Sequence, residues 1–270
     1  CNIGEIYVSK ADDNTCILYL DTVNLYGKAM MEPLPTEIKS FKSSDAFKNE
    51  DPTQEVLEII KSSPPEIGHI FIVDISLHYD LHEKFKAYPL FPEKRDGKLM
   101  QTLYNKEKYT VLDRYLEFGI KMGYRVTKIH GVIEFTQDDF MRKYIDFNTI
   151  QRKIASSKKE TSKVAYFKAA NNMVFGKNIE NPEKYSNYII YTGDKAIEYY
   201  NKPEMYKDFI IIDKDEPIIL FDKKKKEFNL NKPIIIGFCI LDISKHIMAE
   251  HFYRLKEVFG DKMKLIYTDT

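Results

Sequence analysis

Two aspartates close apolar runs in this sequence. Asp21 ends the run Cys16 to Leu20 and leads at once into Asn24, Leu25, Tyr26 and Gly27, and Asp269 follows Lys264 to Thr268. A carboxylate at the tip of a strand suits a divalent cation, because a hard ion such as Mg2+ takes oxygen ligands. Asp21 could equally cap a helix that begins in LYGKAM, since Asp accepts from the first free N–H groups of a helix. The stretch itself leaves both readings open. A second set is Lys168, Asn172 and Phe175, which at i, i+4 and i+7 share one face of a helix, with Phe167, Ala170 and Val174 on neighbouring faces suited to packing. A Lys, an amide and a ring on one face can hold a phosphate, a sugar or base edge, and a stacked base. Gly176 follows and leaves room for another backbone, DNA included. His78 and His82 stand four apart, a metal-like spacing, but no third ligand is nearby and they are expected at the surface.

The surrounding composition is that of an ordinary globular protein. The 270 residues are 43% hydrophobic and 30% charged, enough for one large domain or two small ones with an ample core. No apolar run approaches the roughly 20 residues that span a bilayer, so no membrane partner is expected. Cys1, Cys16 and Cys239 have no paired spacing, which argues against a disulfide framework or a thiolate zinc site and fits a reducing, intracellular compartment. A formal net charge of zero argues against a uniformly basic nucleic-acid binder. The distribution is uneven, however. Nine Lys or Arg stand against two acids between Arg142 and Lys177, a local excess able to attract a polyanion, although a solvated helical face can also look this way. The run Lys223 to Lys226 is expected at a charged hairpin tip.

The elements that must position these residues follow from periodicity and punctuation. A strand is expected at Cys16 to Leu20, then a short helix around Leu25 to Glu32 that Pro33 and Pro35 end. Residues 36–66 are polar, with one helix near Gln54 to Lys61. Ile67 to His78 is expected to be a strand paired with the first, and Tyr88 to Gly97 an irregular loop. A helix is expected at Asp113 to Met122 and a strand at Arg125 to Phe135. Two helices, about Gln137 to Ser156 and Thr161 to Asn178, are expected to form an antiparallel hairpin that carries most of the basic excess. Short β-runs are expected over 206–236, a helix over Ile243 to Phe259 and a last strand over Lys264 to Thr268.

On these residues the sequence resembles family B DNA polymerases. "DTVNLYGKAM" is similar to the first palm motif, "KAANNMVFGKNIEN" to the fingers motif, and "LIYTDT" to the catalytic strand, here ending one residue before its second Asp. "YPLFPEKR", "YIDFNTIQRK" and "KPIIIGFCILDISKHIMAEHFY" resemble the protein-primed branch found in viruses, organellar plasmids and Polinton-type transposons. The resemblance implies an α+β fold with a small antiparallel palm sheet, flanking helices and an antiparallel helical fingers hairpin. Residues 1–135 would be the first part of the palm, with an insertion at about 70–140 for terminal protein and template. Residues 136–181 would be the fingers, and 182–270 the rest of the palm, ending before the thumb. The implied reaction is template-directed transfer of dNTPs to a primer 3′-hydroxyl, with two Mg2+ ions roughly 3.5–4 Å apart (Mn2+ a possible substitute). Asp21 would bridge the metals, the Thr22 carbonyl would add a ligand, and Asp269 would line the same site. Tyr26 would lie under the incoming sugar and exclude a 2′-hydroxyl. Lys168 and Arg152 would bind the triphosphate, with Lys153 a competitor for the second position, and Asn172 and Phe175 would face the nascent base pair. Gly176 and Lys177 would meet DNA. The partners implied are primer-template DNA, dNTPs and a terminal priming protein, in a nucleus, a viral replication site or a mitochondrion. Met173 replaces a usual Ser, and Phe175 a usual Tyr, which keeps stacking and loses a hydroxyl. The chain is expected to be a fragment, inactive by itself for want of the second catalytic Asp. A remnant that only binds nucleic acid or protein is the alternative; a metal-dependent nuclease would need more clustered carboxylates.

Overall fold

The computed structural model of the chain describes residues 16–17, 20, 24–47, 50–181, 185–224, 227 and 231–268. Helix α1 (Leu25–Met30) and strand β1 (Leu34–Ser43) come first, then α2 (Pro52–Ser62), β2 (Ile67–Leu77) and α3 (His82–Phe85). The short strands β3 (Glu93–Arg95) and β4 (Lys98–Met100) precede β5 (Lys106–Leu112), α4 (Asp113–Met122) and β6 (Tyr124–Asp138). Helices α5 (Arg142–Ser157) and α6 (Thr161–Asn178) follow. Then come β7 (Tyr188–Thr192), α7 (Gly193–Tyr200), β8 (Tyr206–Asp213), β9 (Ile218–Lys223) and α8 (Ile234–Phe259). Among the described residues every ladder is antiparallel, and the fold is α+β. The chain parts into two units: Lys177–Ile234, and the described residues on either side of it.

The larger unit is built on a four-stranded sheet in the order β1-β6-β2-β5. Alternation along β2 sends Phe71, Val73, Ile75 and Leu77 to one side, all buried, and Ile72, Asp74 and Ser76 to the other, half-buried. Tyr115 and Leu116 of α4 and Phe252 and Tyr253 of α8 belong to the core cluster that includes these β2 residues. A second cluster joins Met30 of α1, Leu34, Ile70, Phe135, Ile145 of α5, and Ile240 and Ile243 of α8. Helix α8 therefore serves both clusters. Between them its Asp242, fully buried, accepts the Leu112 N–H at 2.9 Å and pairs with Lys245 at 2.8 Å. Burial raises the carboxyl of Asp242 above its ordinary value, and Lys245 and the Leu112 N–H offset part of that rise.

The smaller unit is a three-stranded sheet in the order β7-β9-β8. Helix α7 packs on it through Ala196, in a cluster with Tyr206, Ile219 and Phe221.

Several expectations from sequence are corrected here. β1 lies in a stretch expected to be polar and largely irregular. It is an edge strand, where proline is tolerated and charge blunts the free edge. β2 pairs with β5 and β6. Its expected partner has no strand at Cys16, Ile17 or Leu20, and Leu18 and Tyr19 lie outside the described residues. Lys264 to Thr268 also forms no strand; Met263 and Leu265 instead pack on the first core cluster, so packing without a ladder accounts for the apolar character there. The expected loop at Tyr88 to Gly97 begins as a buried strap. The Leu90 and Phe91 N–H groups donate to the Tyr124 and Tyr115 hydroxyls at 3.2 and 3.1 Å, and the Tyr253 hydroxyl donates to the Tyr88 carbonyl at 2.6 Å. Helix α8 starts at Ile234, well before Ile243: three isoleucines favour a strand locally, but Ile235 and Ile236 pack on the second cluster as part of a helix. Lys223 is not at a hairpin tip. It stands opposite Tyr206, at the far end from the turn after Asp213, and Lys225 and Lys226 lie outside the described residues. β7 and α7 were not anticipated.

Candidate functional site

The segment after Asp21 folds for a local steric reason. Asn24 takes left-handed backbone angles (φ 59°, ψ 50°), which Asn tolerates better than most residues, and it is the N-cap position of α1. A Cβ on Gly27 would lie 1.9 Å from the Asn24 side-chain nitrogen, so any other residue there would displace the Asn24 side chain. The N-cap position is Asn24, with no side-chain cap hydrogen bond, and Asp21 lies outside the described residues. Tyr26, the second residue of α1, meets α6. Its ring stacks on Phe175 with centroids 4.3 Å apart and planes 10° from parallel. Both rings pack against the second core cluster beside Val174, Met31 and Met141.

Helices α5 and α6 are joined by a short turn at residues 158–160 and bridged by one buried hydrogen bond, from Asn148 Nδ2 to Asn171 Oδ1 at 2.9 Å. The bond joins positions nearly symmetrical about the turn, so the helices run antiparallel as expected. Ile145, Asn148 and Ala155 of α5 are buried, and Arg152 on the same stripe is half-buried. On α6, Asn171 is buried and Phe167, Ala170 and Val174 are half-buried, in line with their expected packing. Lys168 and Asn172 are exposed and Phe175 is half-buried.

The cations of the hairpin divide into two groups. Arg142, Lys163 and Lys177 pair with Asp139, Glu160 and Glu180. Lys143, Arg152, Lys153, Lys158, Lys159 and Lys168 have no ion pair among the described residues. Lys177 is therefore already engaged at 2.7 Å by Glu180, whose carboxyl is held below its ordinary value by Lys177 and then by Lys232. A Cβ on Gly176 would meet nothing within 4 Å among the described residues, so the fold itself does not demand glycine there.

Asp21, Thr22 and Asp269 lie outside the described residues. Among those described, no group of three or more His, Cys, Asp or Glu side chains could hold a metal ion. His78 is exposed and pairs with Asp80 at 3.1 Å, and the His82 ring lies against Tyr79 at 5.3 Å. No described helix is long and apolar enough to cross a membrane.

Sequence reasoning passed over Asn148 and Asn171. The signal was present: an amide on the packing stripe of each helix, at positions that a hairpin brings opposite one another. The architecture matches Phi29 DNA polymerase in an orthorhombic crystal form, with a TM-score of 0.51 at 15% sequence identity over 91% of this chain. The fold is polymerase-like. The chain spans 36% of the length of that polymerase. Phi29 DNA polymerase complexed with primer-template DNA and incoming nucleotide substrates also matches, at a TM-score of 0.43 and 15% identity, over 85% of this chain and 35% of that one. No protein-family model and no curated protein matches the sequence. In this polymerase-like fold, Tyr26, Phe175 and the α5–α6 cations other than Lys177 lie within the larger unit.

Proposed function

We propose that this chain is the palm and fingers portion of a protein-primed family B DNA polymerase, adding dNTPs to a primer 3′-hydroxyl on a DNA template. The observation that carries the reading is the Tyr26–Phe175 stack. Two segments that resemble separate polymerase motifs, far apart in sequence, meet ring to ring, and one of them lies on the helix that carries Lys168. In this reading Lys168 and Arg152 hold the triphosphate, where a point charge and a planar fork both suit phosphate oxygens. Asn148 lies one turn before Arg152 on the same stripe, which favours Arg152 over the more exposed Lys153. Asn172 and Phe175 face the nascent base pair, and the Tyr26 ring lies under the sugar and excludes a 2′-hydroxyl. Gly176 lets DNA approach, and Lys177 reaches it by exchanging Glu180 for a phosphate. Asp21, the Thr22 carbonyl and Asp269 are hard oxygen donors suited to two Mg2+ ions. When bound, those ions would offset charge on the transferring phosphoryl group. Primer-template DNA, dNTPs and a priming protein are the partners in this reading, which the match to a solved polymerase supports at the level of fold.

The test is primer extension with Mg2+ and the four dNTPs by the gene product that carries this chain. Asp21→Asn is expected to abolish extension while primer-template binding persists. Tyr26→Val is expected to raise ribonucleotide use relative to deoxyribonucleotide use. Extension by Asp21→Asn within a few-fold of wild type, or an unchanged sugar preference in Tyr26→Val, would remove the role assigned to that residue.

A further inference from the structure

We propose that the buried Asn148–Asn171 hydrogen bond is a positioning pair, which locks α5 and α6 in one register so that Arg152 and Lys168 grip the same polyphosphate. The inference rests on the nucleotide-binding reading above. Asn148 and Asn171 are only 4% and 3% exposed, and their amides meet at 2.9 Å. Two apolar helices can slide past each other with modest loss, because one methyl group replaces another. A buried amide stripped of its partner is left without the solvation it had in water, so the pair penalises every other register. A single buried polar residue fixes register in coiled coils by the same physics. Asn171 stands at an unspecified position of the segment that resembles the fingers motif, and Asn148 stands within a different segment.

The register has a geometric consequence. Arg152 lies four residues beyond Asn148 toward the hairpin tip, and Lys168 lies three residues before Asn171 toward the same tip. At about 1.5 Å of rise per residue the two cations stand nearly level. At about 100° of turn per residue Arg152 is rotated roughly 40° from the Asn148 direction and Lys168 roughly 60° from that of Asn171. Because the helices are antiparallel, both rotations carry the side chains to one side of the hairpin. Asn172 and Phe175 fall on that side too. Lys153 is turned a further ~100° outward. Slipping α6 by one turn moves Lys168 by ~5.4 Å relative to Arg152 and breaks the level pair.

The test uses this chain and inorganic tripolyphosphate as the probe, followed by titration calorimetry. Arg152→Ala and Lys168→Ala are each expected to weaken binding about tenfold, the scale of a lost charge-assisted contact. Together they should weaken it by less than the product, because both cations hold one anion. Asn148→Leu/Asn171→Leu, which replaces the amides by apolar groups, is expected to keep the unfolding midpoint of the wild type. Its affinity for tripolyphosphate should nonetheless fall about fivefold, and the two cation substitutions should become additive in that background. Asn148→Ala, which removes the donor without adding bulk, gives the same readout if the leucine pair does not fold. Undiminished affinity and coupling in the leucine pair, or in Asn148→Ala, would overturn the positioning role and leave the nucleotide reading standing. No binding by wild type, or no effect of losing either cation, would overturn both.

Discussion

Asp242 and Lys168 are charged residues on the longer helices of one unit, and their surroundings are opposite. Asp242 is sealed between two hydrophobic clusters with every visible partner supplied by the protein: the Leu112 N–H and Lys245. Lys168 stands in solvent on α6 with no ion pair among the described residues. A buried charge has to be matched within the chain, because desolvation is otherwise too costly. An exposed cation beside other exposed cations has no such need, and the cluster retains its attraction for an external anion. The contrast separates charge that joins α8 to the sheet from charge available to a ligand. It also indicates why the basic excess lies on the hairpin. There the repulsion among six unpaired cations is screened by water.

The largest effect should come from the buried side. Asp242→Ala leaves the Leu112 N–H without its acceptor and is expected to lower the free energy of unfolding by about 3 kcal/mol in urea titrations. Asp242→Asn keeps an acceptor and avoids burying a charge, so its loss should be under about 1 kcal/mol. An equally small loss in Asp242→Ala would show that Leu112 finds another partner and that the link from α8 to the sheet is not specific. On the exposed side, Lys168→Ala should change stability by less than about 0.5 kcal/mol while weakening dTTP binding about tenfold. Lys153→Ala should weaken it by less than about twofold, as a peripheral exposed charge would. The reverse ranking of Arg152→Ala and Lys153→Ala would move the triphosphate contact by one residue.

Asp74 lies between these extremes and should give the smallest effect. Partly exposed on β2, it accepts the Lys108 N–H at 2.7 Å and pairs with His130 at 2.8 Å. Burial alone would raise its carboxyl pKa. The Lys108 N–H, His130 and Lys128 outweigh burial and hold it below the ordinary value. A depressed carboxylate contributes stability above its unfolded pKa of about 3.9 and loses that contribution as pH falls through the lower folded pKa. Thermal unfolding of wild type should therefore exceed that of Asp74→Asn at pH 6, and the gap should close below about pH 4. A gap that persists unchanged in acid would mean that the pair contributes through packing alone.

The sequence by itself determined what depends on near neighbours along the chain. Asp51 followed by Pro52 starts α2, with the Asp51 carboxylate accepting from Thr53 and Gln54 N–H groups. Gly123, with φ at 116°, ends α4 where expected. The i, i+4, i+7 spacing assigned Lys168 and Asn172 to the exposed side of α6, and Asn24 with Gly27 shaped the turn into α1. Tertiary structure decided what depends on a partner elsewhere. A strand exists only if a ladder accepts it, so charged β1 became an edge strand while apolar Lys264 to Thr268 formed none. Ile235 and Ile236 joined α8 because the second core cluster receives them as part of a helix. The strap at Tyr88 to Phe91 is held by hydroxyls from α4, β6 and α8, none of them near it in sequence. The level placement of Arg152 and Lys168 belongs to this second class. Each helix was legible alone, but their register rests on one buried amide pair, whose two members stand 23 residues apart in sequence.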